Sequence, residues 1–108
     1  MKSMYAQLMF EKFGVYTFET EKGFFTYHVG KVFYVEEIFI KPEFRGGNVT
    51  EQFISEIDSL AMKHGHKEII GSVNIRAHGC SKSAYLLLKN KYRISHIGGD
   101  LIYFKRTI

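Results

Sequence analysis

The sequence predicts an α+β (mixed α/β) fold: a central, mostly antiparallel sheet of about six strands with one parallel pair, flanked by two to three helices. Three observations carry this. Residues 15–40 form three β-branched and aromatic segments separated by short glycine-containing or charged turns, the pattern of an antiparallel meander. A helical periodicity over 49–64 lies between two strand-like segments, the signature of a right-handed βαβ crossover with parallel neighbours. The chain closes on two short strands around Gly98-Gly99-Asp100. At 108 residues these elements belong to one expected domain, 1–108.

Each element has its own warrant. Ser3 is placed to cap a helix over 4–13, and Gly14 to close it. Strands follow over 15–20, 24–29 and 32–40, with turns at Glu21-Lys22-Gly23 and Gly30-Lys31. Pro42 ends the third strand, because it has no N–H to give a ladder. In the long helix Val49, Phe53, Ile57, Leu60 and Ala61 fall on one face, and Gly65 is a natural stop. A strand over 67–73, a helix over 81–90 burying Ala84, Leu87 and Leu88, and a hairpin of 93–97 with 101–105 complete the order. Alternation assigns Phe33, Val35 and Phe39 to the core.

Composition narrows the function classes. Ten Phe and seven Tyr predict a ring-rich core. One cysteine, Cys80, cannot form an internal disulfide, which points to a cytoplasmic protein. No apolar run is long enough to span a membrane, and the N-terminal residues do not read as a signal peptide. The net charge of +4 is spread along the chain, with its densest stretch, Lys82 to Arg93, on a helix, so nucleic acid is not the expected partner. His64 and His66 lie two apart with no further ligand cluster, so no metal site is expected. His78 and Cys80 lack an orienting third group for nucleophilic chemistry. So short a chain leaves sheet edges that a homodimer would cover.

The most informative segment joins the third strand to the long helix. A helix begins near residues 48–50, and its first-turn N–H groups have no partner within the helix. Gly46 and Gly47 let neighbouring amides turn inward and a ligand come close, and Arg45 adds a positive charge. Such a combination suits a pyrophosphate. The same residues also read as a plain glycine-containing strand-to-helix turn with an exposed arginine.

The stretch VEEIFIKPEFRGGNVTEQFISEI (35–57) resembles the cofactor-binding motif of GNAT-type N-acetyltransferases, in which a strand ends in an aliphatic residue followed by x-Pro-Glu-aromatic and a Gly-rich loop opening a helix. Ile40, Pro42, Glu43, Phe44 and Arg45 match that pattern. Residues 64–70, Ser83-Ala84 with Leu87-Leu88 and Tyr92, and the closing 101–105 are similar to the later elements, most of all in short phage-encoded members. The resemblance implies acetyl-CoA as co-substrate. Its pyrophosphate would rest on the amides of Arg45, Gly46, Gly47, Asn48, Val49 and Thr50, and its pantetheine arm along Ile38, Phe39 and Ile40. The implied chemistry is attack of an amine acceptor on the thioester, with Glu36 as the base that takes the amine proton. Glu36 and Glu37, being adjacent, are expected on opposite faces of the sheet. Three departures stand out. Asn48 and Thr50 occupy places where the pattern has glycine, or glycine or alanine; Asn48 is compatible with a left-handed backbone. The usual acid tyrosine is replaced by Leu87 and Leu88, leaving Tyr85 as the nearest candidate on that helix and Tyr92 as a core residue. The elements that precede the meander in the family are largely missing. These departures motivate an alternative: a catalytically silent fold of this type used as a binding module, such as a phage protein acting on a host factor.

Overall fold

Six strands form one sheet in the order β1-β2-β3-β4-β6-β5 in the computed structural model, which describes residues 3–108. In chain order the elements are α1 (Met4–Phe13), β1 (Tyr16–Thr20), β2 (Gly23–Val29), β3 (Phe33–Ile40), α2 (Val49–Lys63), β4 (Glu68–Asn74), α3 (Cys80–Lys89), β5 (Arg93–Gly98) and β6 (Leu101–Thr107). Only β3 and β4 run parallel; every other neighbouring pair is antiparallel. The crossover through α2 therefore makes the parallel pair that the sequence pattern requires. A 3-10 turn, Pro42–Phe44, occupies the segment read as open loop.

The ends of the helices follow local chemistry. Ser3 Oγ accepts the Ala6 N–H at 3.0 Å, and Gly14 closes α1 with φ +67°. Gly65, with φ +79°, follows the end of α2. The core lies between the helices and one face of the sheet. Val49, Phe53, Ile57 and Ala61 of α2 meet Phe25, Tyr27, Phe33, Val35, Ile69, Val73 and Phe104. Rings dominate the β1–β2–β3 side: Phe18 stacks on Phe25, and Phe53 meets both edge-on. Tyr16, Tyr27 and Phe33 form a second stack beside them. On the other side Asp58 of α2 pairs with Arg106 of β6, next to the buried Tyr92.

Two expectations about packing fail. Leu88 is exposed, and α3 turns Ala84, Leu87 and Cys80 inward instead. Phe39 is exposed and does not join Phe33 and Val35 in the core. The cause is a β-bulge. Tyr27 pairs with Val35 but Thr26 pairs with Glu37, so Glu36 is an extra residue in β3. Beyond it the alternation is reset, and Ile38 rather than Phe39 lies across from the core residue Phe25.

Two substitutions test this packing. A Cβ at Gly23 would lie 2.1 Å from the Phe39 carbonyl oxygen and 2.9 Å from the Ile40 Cα. Gly23→Ala is therefore expected to cost about 2 kcal/mol, read by chemical denaturation. Burial, and then the negative charge of Asp58, push the Tyr92 hydroxyl up to about 12, from an ordinary 10.0; Arg106 opposes them. The folded-state value is the higher one, so the associated stability is complete below the unfolded-chain value and disappears as pH rises through the folded one. The gap corresponds to about 3 kcal/mol. Tyr92→Phe should lose distinctly less stability than the parent between about pH 10 and pH 12 in denaturation curves.

Candidate active site

β3 and β4 pair over three positions only: Phe33 with Ile69, Tyr34 with Ile70, and Val35 with Gly71. Beyond them β3 continues to Ile40 along β2, and β4 continues to Asn74 along β6, with no pairing between the two. The result is a fork that opens toward the carboxyl ends of two parallel strands, the place where such sheets receive ligands. The bulge at Glu36 sits where the fork begins. Tyr34 and Ser72, on the sheet face away from the core, bridge its base with a 2.5 Å hydrogen bond between their hydroxyls.

The bulge also decides where the two glutamates go. Glu37 lies opposite Thr26, which points away from the core because its neighbours Phe25 and Tyr27 are both buried. Glu36 contacts His28 Nε2, and His28 lies on that same outer face. The expectation that Glu36 and Glu37 face opposite sides therefore fails: both carboxylates serve the open face. None of Thr26, His28, Tyr34, Glu36, Glu37, Ile70, Ser72 and Tyr103 on this face of the central strands is buried.

At the mouth of the fork the chain turns from β3 into α2. Arg45 does not point into the helix N-terminus. Its Nε donates to the Ile40 carbonyl at 2.7 Å, and its guanidinium lies over the Phe39 ring at 5.5 Å. Its own N–H is bound to the Pro42 carbonyl. Gly46 takes φ +82°, a left-handed conformation that side chains resist. Asn48 does not: its φ is −94°, and its side chain makes no capping bond. The first described amide to find an acceptor after that of Arg45 is that of Gln52, bound to the Asn48 carbonyl. Among the described residues, the N–H groups of residues 46–51 have no acceptor. These six donors, shifted one residue along from the set expected, surround the positive end of the α2 dipole. They fit the negative charge and many acceptor oxygens of a diphosphate group.

The remaining sites are accounted for as follows. Ile38 and Phe39, 44% and 43% exposed, and the half-buried Ile40 form the β3 wall of the fork. Val49 is buried in the core and contributes its amide rather than its side chain. Tyr85 stands on α3, 63% exposed, and Tyr92 is a core residue. His28, Tyr34 and Ser72 were not legible as site residues. The one signal for them is their place on the polar face of alternating strands, and which residues face each other across the sheet depends on the bulge.

Several solved structures share this architecture. A GNAT family acetyltransferase from Elizabethkingia anophelis, with acetyl-CoA bound, superposes with a TM-score of 0.74 at 12% identity, over 94% of this chain and 82% of that one. An acetyltransferase from Bacillus subtilis in complex with CoA gives 0.72 at 12% identity, over 94% and 83%. The anti-CRISPR protein AcrVA5 gives 0.68 at 12% identity, over 82% of this chain and 96% of that one. No protein-family model matches the chain, and no curated protein matches it in sequence. The chain thus has the GNAT acetyltransferase fold. No helix among the described residues is long and apolar enough to cross a membrane.

The loop geometry makes a specific demand. Gly46→Val should cost about 1–2 kcal/mol, because it forces a β-branched residue to a positive φ. Nothing but solvent lies within 4 Å of the position where its Cβ would stand. Gly47→Ala, where φ is not positive and a Cβ would sit 3.9 Å from the Phe44 carbonyl oxygen, should cost clearly less. Paired thermal melts check the difference.

Proposed function

We propose that the chain is an acyltransferase that moves an acetyl group from acetyl-CoA to an amine acceptor, acting in the cytoplasm. The observation that carries this reading is the set of six unsatisfied amides at residues 46–51, set at the mouth of an open fork between parallel strands. The CoA diphosphate rests on the amides of Gly46, Gly47, Asn48, Val49, Thr50 and Glu51. The pantetheine arm lies along Ile38, Phe39 and Ile40, where its amides meet strand groups left unpaired by the fork. Acetyl-CoA bound in a structural neighbour supports the same assignment.

Glu36, at the base of the fork, takes a proton from the acceptor's ammonium group. The freed nitrogen forms the new C–N bond as the thioester C–S bond breaks. The departing thiolate needs a proton, and Tyr85 is the α3 tyrosine with an accessible hydroxyl to supply it. The fork's orientation supports this division of labour: the nucleotide end is held at α2, and the reacting end emerges by the carboxylates on the open face.

A second reading has its own support. The likeness to an anti-CRISPR protein covers nearly all of that protein, and Asn48 and Thr50 depart from the glycine pattern of the loop. Under it the fold is a binding module without turnover, such as a phage protein acting on a host factor.

Isothermal titration with acetyl-CoA separates the two. The enzyme reading expects saturable binding, at least tenfold weaker in Arg45→Glu and Thr50→Trp. In Glu36→Gln binding should persist while turnover falls about a hundredfold. No heat at millimolar acetyl-CoA would favour the binding module.

A further inference from the structure

We propose that His28 is a positioning residue for Glu36 that carries the acceptor's proton away to solvent, an inference that rests on the acetyltransfer reading above. His28 is on β2, outside the loop and the strand that make up the fork. Its Nε2 nevertheless contacts a Glu36 carboxylate oxygen, and both side chains keep a path to water, with 38% and 46% of their surfaces exposed. The contact exists because of the bulge, which swings Glu36 onto the outer face that β2 shares. Tyr34 pairs with His28 across the strands, its ring 6.2 Å away, and its hydroxyl is committed to Ser72. Glu37 is the other charged group on β3 that faces this way.

The proton balance requires such a partner. An alkylammonium arrives with a proton that must leave before its nitrogen can form a bond. That proton breaks from nitrogen and joins a Glu36 oxygen. The C–N bond forms, the C–S bond breaks, and the thiolate takes a separate proton. Glu36 must then be emptied before the next turnover. With its proton on Nδ1, His28 takes the Glu36 proton at Nε2, giving a carboxylate–imidazolium pair. Nδ1 then releases its own proton to water, leaving Nε2–H donating to the carboxylate, and proton exchange with water returns the ring to the Nδ1–H tautomer as the next acceptor arrives. Between turnovers the same contact holds the carboxylate at the fork instead of letting it turn into solvent.

The test compares two nucleophiles with the full chain and acetyl-CoA, following released thiol. Poly-L-lysine presents ammonium groups that must be deprotonated; hydroxylamine is already uncharged at neutral pH and needs no base. In His28→Gln turnover should fall about tenfold or more with poly-L-lysine and less than twofold with hydroxylamine, with acetyl-CoA affinity unchanged. Glu36→Gln should show the same split, and the double variant should be no slower than the slower single. Should His28→Gln fail to fold, His28→Asn takes its place beside Glu36→Gln. Equal losses with both nucleophiles, or no loss, overturn the role of His28 while leaving acetyltransfer intact. A parent protein active on hydroxylamine alone also overturns it. A parent inactive with both removes the acetyltransfer reading, and this proposal with it.

Discussion

The separation of β3 from β4 after three paired positions is the constraint on which the site depends. A strand inside a sheet normally spends its N–H and C=O groups on both neighbours. Here β3 keeps β2 as far as Ile40 and β4 keeps β6 as far as Asn74, so each strand stays anchored while its facing edge is open. The bulge at Glu36 supplies the mechanical cause. One extra residue bends β3 and strengthens its local twist, which carries the following residues away from β4. The polar edges so created need water or a ligand with its own amides.

An open fork would be useless if its arms moved independently. Two ties hold them. Above the core, α2 spans both arms: Phe53 packs into the ring cluster of β1 and β2, while Asp58, little more than a turn later, pairs with Arg106 on β6. On the opposite face the hydroxyls of Tyr34 and Ser72 join the two strands directly where their pairing ends, Ser72 being the first residue of β4 beyond it. The Asp58–Arg106 pair is only partly exposed and adjoins Tyr92, so it is screened less than a surface ion pair. The fork is closed at its base from both sides and free at its mouth, as the proposed pantetheine arm with its bulky charged end would require.

Much of this fold could be read from the residues. Element order, the crossover and the caps at Ser3 and Gly14 depend on neighbours in sequence, and local chemistry determined them. The parallel pair followed from the length and periodicity of the 49–63 helix. What could not be read was the bulge, because it is a property of two strands in register and not of either alone. Its consequences were hidden with it: Phe39 outside the core, Ile38 rather than Phe39 opposite Phe25, and Glu36 and Glu37 on one face. The turn that opens the long helix could be placed from the residues; the polar face beside it could not. His28 and Ser72 are 44 residues apart in sequence, and nothing local marks either as a neighbour of the fork.

The loop before α2 shows a choice that stability alone does not explain. Asparagine is among the best N-cap residues, and Asn48 stands at the N-cap position. A capping asparagine adopts an extended backbone so that its side chain can reach back to the first-turn amides. Asn48, at φ −94° and ψ 9°, is instead turned into a nearly helical conformation, and its side chain caps nothing. Arg45, the charge best placed to attract an anion, is fixed on Ile40 and Phe39, where it braces the last residue of β3. The segment thus forgoes a cap worth about 1 kcal/mol and keeps its donors free. Local rules broken in this way, within an otherwise consistent fold, concentrate where a protein binds something. Electrostatic attraction at this mouth comes from the backbone itself, from the amides of residues 46–51 and the dipole behind them. On the proposed reading this accommodates Asn48 and Thr50: a diphosphate would rest on main chain, and side chains need only stay out of its way.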